Sequence, residues 1–308
     1  MKEYDLSIII LNWNTKEITK NCLESLSKAR IKDAEVILVD NASQDNSLKT
    51  FYSLKNKHPE LNLKIIENKK NYGFAKGNNI GAEKAKGKYL LLLNSDTIVE
   101  KGSIEILLDY LKTNKDVIAV SPMLMNSDGS KQIEYYFKFP NLFFASYHNI
   151  VLRPLMTKTF LKSLIISQPK DTPFEVDQLP GAAILTTKTT YEATNGLDED
   201  YKFLFEDVDW CLKVKKKNLG KLIVIPSSKI IHLGGASWKK WRENDSYAFY
   251  KQYFSSFFTF VRKHQSSITL LYKILLTYSF ADNIFIHLIK GKTKKAKVQL
   301  KLIFFIWK

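Results

Sequence analysis

The 308-residue sequence predicts an α/β fold, with a mostly parallel central sheet flanked by helices on both faces and a helical, basic C-terminal extension. Three observations lead there. Apolar runs alternate with helix-spaced segments through the first 125 residues, which implies parallel strands joined by crossover helices. Several of these runs end in polar residues, at the edge where open α/β sheets take their ligands. From about residue 245 the pattern turns helical, aromatic and basic.

The elements follow in order. "LSIIILNW" (6–13) is a strand buried on both faces, and 16–30 has helical spacing with Thr15 as its N-cap. "AEVILVD" (34–40) is a second buried strand, 46–57 a helix and "LKIIE" (63–67) a third strand. "FAKGNNIGAEKA" (74–85) reads as a helix and "KYLLLLNSD" (88–96) as a fourth strand. A helix over 103–113 and a strand over "VIAVSPMLM" (117–125) close the regular part. Residues 126–175 are less regular: "NSDG" signals a turn, and the aromatic stretch after it reads as a loop, a hairpin or a covering segment. Then come "PGAAILTT" (180–187), helices near 188–194 and 207–217, and "KLIVIP" (221–226), with "NLG" as a helix stop.

Composition narrows the class. With 45% hydrophobic and 25% charged residues the chain is globular. Met1–Asp5 runs straight into an apolar strand, so no leader peptide is expected. Cys22 and Cys211 fall in helical stretches without metal-type spacing, and reduced thiols are expected. The net charge of +16 is uneven: Lys213–Lys308 holds 20 basic and 3 acidic residues, and the rest is nearly neutral. Such asymmetry points to a polyanionic partner, a nucleic acid or an anionic membrane.

The chemistry-bearing residues cluster at strand ends: "NWN" (12–14), "DNAS" (40–43) and "NSD" (94–96). "NYGFAKGNNIG" (71–81) is glycine-rich, and its glycines serve either close backbone approach to a ligand or turns. It matches neither a Walker loop nor the dinucleotide fingerprint. "FLFEDVDW" (203–210) crowds Glu206, Asp207 and Asp209 among aromatic residues. Acids there serve a helix N-terminus or supply a carboxylate base.

In their order, "SIIILNWN", "VDNAS", "NYGFAKGNNIG", "LLLNSD", "PGAAIL", "FEDVDWCLKVKKKNLG" and "HLGGAS" resemble glycosyltransferase family 2, inverting enzymes of the GT-A fold. The look is nearest to the rhamnosyltransferase-like branch, over roughly residues 5–240. The resemblance implies that Asp40 binds the nucleotide base. It places Asn12, Trp13, Asn14, Asn41, Gly73, Asn78, Asn79, Asn94 and Ser95 along the donor. Asp96 matches the last acid of the family's metal motif, with Asn94 where the first acid often stands, and His232 matches a position that meets the metal or diphosphate. The implied cofactor is Mg²⁺ or Mn²⁺. Asp207 matches the general base, and Asp177, Gly181 and Glu206 would face the acceptor. Residues 1–244 would then be the catalytic domain, with a nucleotide-sugar half over about 1–125 and an acceptor half over about 126–244, and 245–308 a membrane-associating region. The expected reaction moves a sugar, with L-rhamnose from dTDP-rhamnose as the leading reading, to a glycan acceptor, in particular a polyprenyl-linked one, in bacterial cell-surface polysaccharide synthesis. UDP-hexose, UDP-N-acetylhexosamine or UDP-galactofuranose donors, or a catalytically silent scaffold, are the alternatives.

The tail holds "LLYKILLTYSFADNIFIHLI" (270–289), of spanning length but interrupted by Lys273, Asp282, Asn283 and His287. The expected arrangement is helices lying in the interface of an anionic membrane on its cytoplasmic face, or else a packed helical subdomain with a basic surface. No nucleic-acid-binding motif is present, so nucleic acid is not the expected partner.

Overall fold

The computed structural model describes residues 4–132, 138–154, 170–235 and 241–308. Much of the aromatic stretch between 126 and 175, and the end of "HLGGAS", lie outside the described residues. The elements are β1 (Tyr4–Asn12), α1 (Lys16–Ala29), β2 (Ala34–Asp40), α2 (Ser47–Lys57), β3 (Lys64–Glu67), α3 (Phe74–Glu83) and β4 (Gly87–Asn94). Next are β5 (Thr97–Val99), α4 (Ser103–Thr113), β6 (Val117–Met125), α5 (Leu142–Tyr147), β7 (Phe174–Glu175) and β8 (Ala183–Thr187). They are followed by α6 (Lys188–Ala193), α7 (Glu206–Lys216), β9 (Lys221–His232), α8 (Ser246–His264), α9 (Thr269–Ile289) and α10 (Thr293–Ile306).

Among the described residues, 4–132, 170–202 and 206–235 make one compact unit. Its sheet runs β3-β2-β1-β4-β8-β6-β9-β5, with β7 paired to β9. The expected parallel pairing holds across β3, β2, β1 and β4, and again between β6 and β9. The sheet as a whole is mixed, because β8 enters antiparallel to both β4 and β6. An apolar run such as "AAILTT" reads the same in either direction, so the sequence pattern left this reversal open.

Alternation along β1 explains the layers. Ile8 and Ile10 join a core with Cys22, Leu23 and Leu26 of α1 and Ile104, Leu107 and Leu111 of α4. Ile9 and Leu11 point to the opposite face, as a period of two requires. There α3 packs closely because of its glycines: a Cβ on Gly77 would lie 2.4 Å from Leu11 Cδ1, and one on Gly81 would lie 2.5 Å from Ile9 Cγ2. These two glycines therefore serve helix–sheet packing. Gly73, with φ +84°, is the turn-forming one and precedes α3.

The second unit comprises described residues 138–154, 203–205 and 241–308. Its core is aromatic. Phe144 stacks on Phe257 at 5.4 Å between ring centres, and Phe254 meets Phe280 edge-on at 5.2 Å. Asp245 caps α8, its carboxylate accepting from Ala248 N at 3.0 Å.

Gly87 gives the first test. Its amide donates to Ser7 Oγ at 2.8 Å, and a Cβ there would meet β1 backbone at 2.5 Å, which has no freedom to yield. Gly87→Ala should lower stability in denaturant unfolding by about 1–3 kcal/mol; an unchanged midpoint would show that β1 and β4 are not paired as described.

Candidate active site

One hydrogen-bonded edge carries most of the residues singled out in the sequence. β1, β2 and β4 end together, with Asn12 paired to Asp40 and Leu11 to Asn94. Asn12 Nδ2 donates to Asp40 Oδ1 at 2.6 Å and to Ser43 Oγ at 2.9 Å. Ser43 N donates to Asp40 Oδ2 at 2.9 Å, so the buried Asp40 carboxylate is held at both oxygens. Asn14 sits at φ 52°, where asparagine is tolerated, and its Oδ1 accepts from Gln44 N at 2.7 Å. Trp13 beside it is 48% exposed, a large ring left at the rim of this edge. Asn41 Nδ2 donates to Gly73 O at 3.1 Å, which ties the turn before α3 to the end of β2.

The reversal of β8 extends the edge. Asn94 N donates to Ala182 O at 2.9 Å, so the start of β8 lies beside the end of β4. One residue earlier, Gly181 N donates to Asp207 Oδ2 at 2.8 Å. A Cβ on Gly181 would stand 2.9 Å from that oxygen, so the contact needs glycine.

The three crowded acids have three different surroundings. Asp209 is fully buried, accepts from Tyr201 OH at 3.0 Å and pairs with Lys213 at 2.7 Å. Asp207 accepts from Gly181 N and, at 2.9 Å, from Val208 N in the first turn of α7. Burial raises its affinity for a proton, and the two N–H groups offset part of that. Glu206 is buried with Oε2 lacking any hydrogen-bond partner among the described residues. Burial first, and the Asp207 charge second, push its pKa up to about 8. Immediately before them Leu204 and Phe205 take φ of 61° and 73°, a strained backbone for residues with side chains.

On the same edge, β9 continues past Pro226 and pairs with β5, setting His232 opposite Thr97. Leu233 N donates to Asp96 O at 2.8 Å, and His232 Nε2 lies 3.3 Å from Asp96 Oδ1. Gly235 N donates to Asp96 Oδ2 at 3.1 Å. An imidazole nitrogen and a carboxylate oxygen converging in this way suit a divalent ion that completes its shell with water and phosphate oxygens. Among the described residues no group of three or more His, Cys, Asp or Glu side chains converges on such a point, so these residues would supply two ligands. Sequence reasoning did not single out Gln132, which meets His232 through two hydrogen bonds from 100 residues away.

Other residues are placed differently. Asn79 is bonded to the segment after α6: its amide donates to Leu197 O at 2.8 Å and accepts from Tyr191 OH at 2.7 Å. Asn78 is buried and donates to Phe74 O within its own helix. Asp177 forms an ion pair with Lys215 of α7 at 3.0 Å. Ser95 lies in the turn between β4 and β5. Cys22 and Cys211 are free and buried.

A mixed α/β sheet that gathers an Asp40 cradle, an Asp96–His232 pair and a backbone-held Asp207 along one edge defines a nucleotide-sugar transferase architecture of the GT-A type. Residues 7–166 match the family described as Glycosyl transferase family 2, and the chain belongs to it. It is 26% identical over 222 residues to the low-salt glycan biosynthesis hexosyltransferase Agl10 of Haloferax volcanii, covering 70% of this chain and 63% of that protein. It is 30% identical over 132 residues to glycosyltransferase GlyG of Streptococcus pneumoniae serotype 4, covering 43% of each. The chain thus spans less than two thirds of the length of these relatives. Among solved structures, the mannosyltransferase PcManGT from Pyrobaculum calidifontis, in complex with GDP-Man and Mn²⁺, shares the fold with a TM-score of 0.59 at 14% identity, over 99% of this chain and 81% of that one. GalNAc-T7 with UDP, GalNAc and Mn²⁺ gives 0.56 at 17% identity, over 75% and 44%.

The Glu206 environment has a pH signature. A carboxyl that holds its proton more tightly when folded stabilises the fold at low pH, and that contribution is lost as pH rises from its ordinary range, near 4.5, through about 8. The melting temperature of the wild type should therefore fall relative to Glu206→Gln between those limits. A constant gap across that range would place Glu206 in a solvated setting.

Proposed function

We propose that this chain is an inverting glycosyltransferase that moves a sugar from a nucleoside diphosphate donor to a lipid-linked glycan acceptor in cell-surface polysaccharide synthesis. The motif set favours dTDP-L-rhamnose as donor. The observation that carries the reading is the Asp207 carboxylate, held by Gly181 N–H at the edge where β1, β2 and β4 end.

Asp40, Asn12, Trp13, Asn14 and Asn41 would receive the nucleoside, with Gly73 supplying the turn behind it. Asn94 and Ser95 would lie along the ribose and diphosphate, with Asn78 and Asn79 acting through the helix behind them. Asp96 and His232 would hold Mg²⁺ or Mn²⁺. When bound, such an ion neutralises charge on the departing diphosphate. Asp207 takes the proton from the acceptor hydroxyl as that oxygen forms its bond to the anomeric carbon. The bond to the diphosphate oxygen breaks on the opposite face, and the diphosphate leaves with the electron pair. One displacement through an oxocarbenium-like state inverts the centre. Burial makes Asp207 a stronger base than a solvated carboxylate, which suits it to the role. A protonated Glu206 beside it avoids a second charge and can donate to an acceptor oxygen. Asp177 would orient the acceptor from the strand side, through its pair with Lys215.

The basic C-terminal region would hold the enzyme at the cytoplasmic face of an anionic membrane, beside a polyprenyl-linked acceptor. Residues 1–244 would carry the catalysis and 245–308 the membrane contact.

Asp207→Asn should cut transfer by about 10²–10⁴-fold while nucleotide binding, read by calorimetry, persists. Transfer near the parental rate contradicts the assignment. Asp96→Ala should abolish the response of donor affinity to added metal; full activity of the parent in excess chelator would remove the metal from the proposal. Calorimetry with a panel of nucleotide sugars identifies the donor, and tighter binding of a UDP-sugar than of dTDP-L-rhamnose would replace rhamnose.

A further inference from the structure

We propose that one face of α9 and α10 is a docking surface for an anionic lipid bilayer. This deepens the location proposed above and is independent of the transfer chemistry. α9 has two sides. Tyr272, Leu276, Ser279, Phe280 and Asn283 are buried. Leu270, Ile274, Tyr278, Phe285 and Ile289 recur at helical spacing and stand exposed, Phe285 and Ile289 to 64% and 68%. α10 exposes Leu300 and Phe304 in the same way, followed by Trp307. The two stripes adjoin, because Trp307 Nε1 donates to Thr277 Oγ1 at 2.8 Å and Lys273 Nζ lies 5.6 Å from the Trp307 ring centre.

Two polar residues that interrupt α9 are spent on the opposite side. Asn283 Nδ2 donates to His148 O at 2.8 Å and its Oδ1 accepts from Ile150 N at 2.7 Å. Asp282, the one carboxylate in 246–308, accepts from Asn149 Nδ2 at 2.8 Å. The apolar stripes therefore carry no acid, and exposed lysines at 290, 292, 294, 297 and 301 border them. A second copy of the chain would set lysines against lysines. A bilayer with anionic headgroups accepts both features, phosphates against the lysines and acyl chains against the rings. No helix among the described residues is long and apolar enough to cross a membrane, so the face would lie on the surface.

The test uses the full chain with vesicles of phosphatidylcholine, with and without phosphatidylglycerol. The wild type should sediment with the anionic vesicles and much less with the neutral ones. Phe285→Ser with Phe304→Ser should lower that partition about tenfold or more, with melting temperature and nucleotide affinity unchanged. Lys294→Gln with Lys297→Gln should weaken binding at low salt and less at high salt. Equal sedimentation of wild type and the serine variant overturns the proposal. So does equal binding to neutral vesicles, or a wild-type dimer that the serine variant loses.

A separate observation concerns the metal pair. We infer that Gln132 is a positioning residue for His232. Gln132 Nε2 donates to the backbone oxygen of His232 at 2.6 Å and to Asn126 Oδ1 at 2.8 Å. Its Oε1 therefore faces His232 Nδ1, at 3.0 Å, and an amide oxygen only accepts. Nδ1 is then the donor, and the contact aims Nε2 at Asp96 Oδ1, 3.3 Å away. In that orientation Nε2 is the atom placed to share a cation with Asp96.

The purpose of this contact rests on the metal reading, and the Nδ1–H donation does not. Nitrogen-15 spectra of the five histidines in metal-free protein read it directly, with His232→Asn giving the assignment. The expected result is Nδ1–H at His232, lost to a mixture in Gln132→Met and kept in Gln132→Glu, which retains the acceptor. Mn²⁺ affinity, followed by electron paramagnetic resonance, should fall about 10–100-fold in Gln132→Met. A wild-type His232 without Nδ1–H overturns the inference, as does unchanged Mn²⁺ affinity in Gln132→Met. A wild type with Nδ1–H that binds no Mn²⁺ overturns the metal pair and with it the purpose assigned to Gln132.

Discussion

The contact between Gly181 N–H and the Asp207 carboxylate organises the site. It joins the start of β8 to the first turn of α7, two segments that meet only because β8 runs against its neighbours. Parallel placement would put Gly181 at the far end of the sheet, away from Asn12, Asp40 and Asn94. The glycine matters for space: a Cβ on residue 181 would stand 2.9 Å from Asp207 Oδ2, too close unless the carboxylate shifts. The amide also stabilises the ionised form of Asp207 against burial, so the carboxylate can be both desolvated and charged.

The remaining acids fit around this contact. Asp209 is neutralised by Lys213, so it adds little repulsion. Glu206 shares the buried environment and avoids a second charge by holding its proton. Two like charges side by side in low dielectric are costly, and separating their proton affinities is the usual resolution. The αL backbone of Leu204 and Phe205 adds strain at the same point, which is where strained residues tend to be retained.

Much of this was legible in the sequence, and the reasons for the exceptions are physical. β2, α4 and β6 have the predicted bounds because long apolar periodicity sets them. β5 is three residues long, too short for a pattern, and the apolar run of β9 predicts an end at Pro226. The strand instead steps over 226–228, with register moving from Pro122–Ile225 to Met123–Lys229, and so reaches His232. A Pro-Ser-Ser sequence signals a break, and only the paired strand shows that the break is a bulge. Strand-end residues such as Asn12, Asp40 and Asp96 were findable because sheet topology brings strand ends together. Gln132 carried no signal, since its partner is 100 residues away and its type is unremarkable. The family resemblance puts Asn79 along the donor, whereas its bonds run to Leu197 and Tyr191.

The role proposed for Asp207 depends on the space at residue 181. Gly181→Ala tests this while leaving every ionisable group in the chain. Single-turnover transfer should fall by about 10²-fold, because displacing the proposed base by about 1 Å costs that much, with nucleotide affinity unchanged. Transfer at the parental rate in Gly181→Ala would contradict the account.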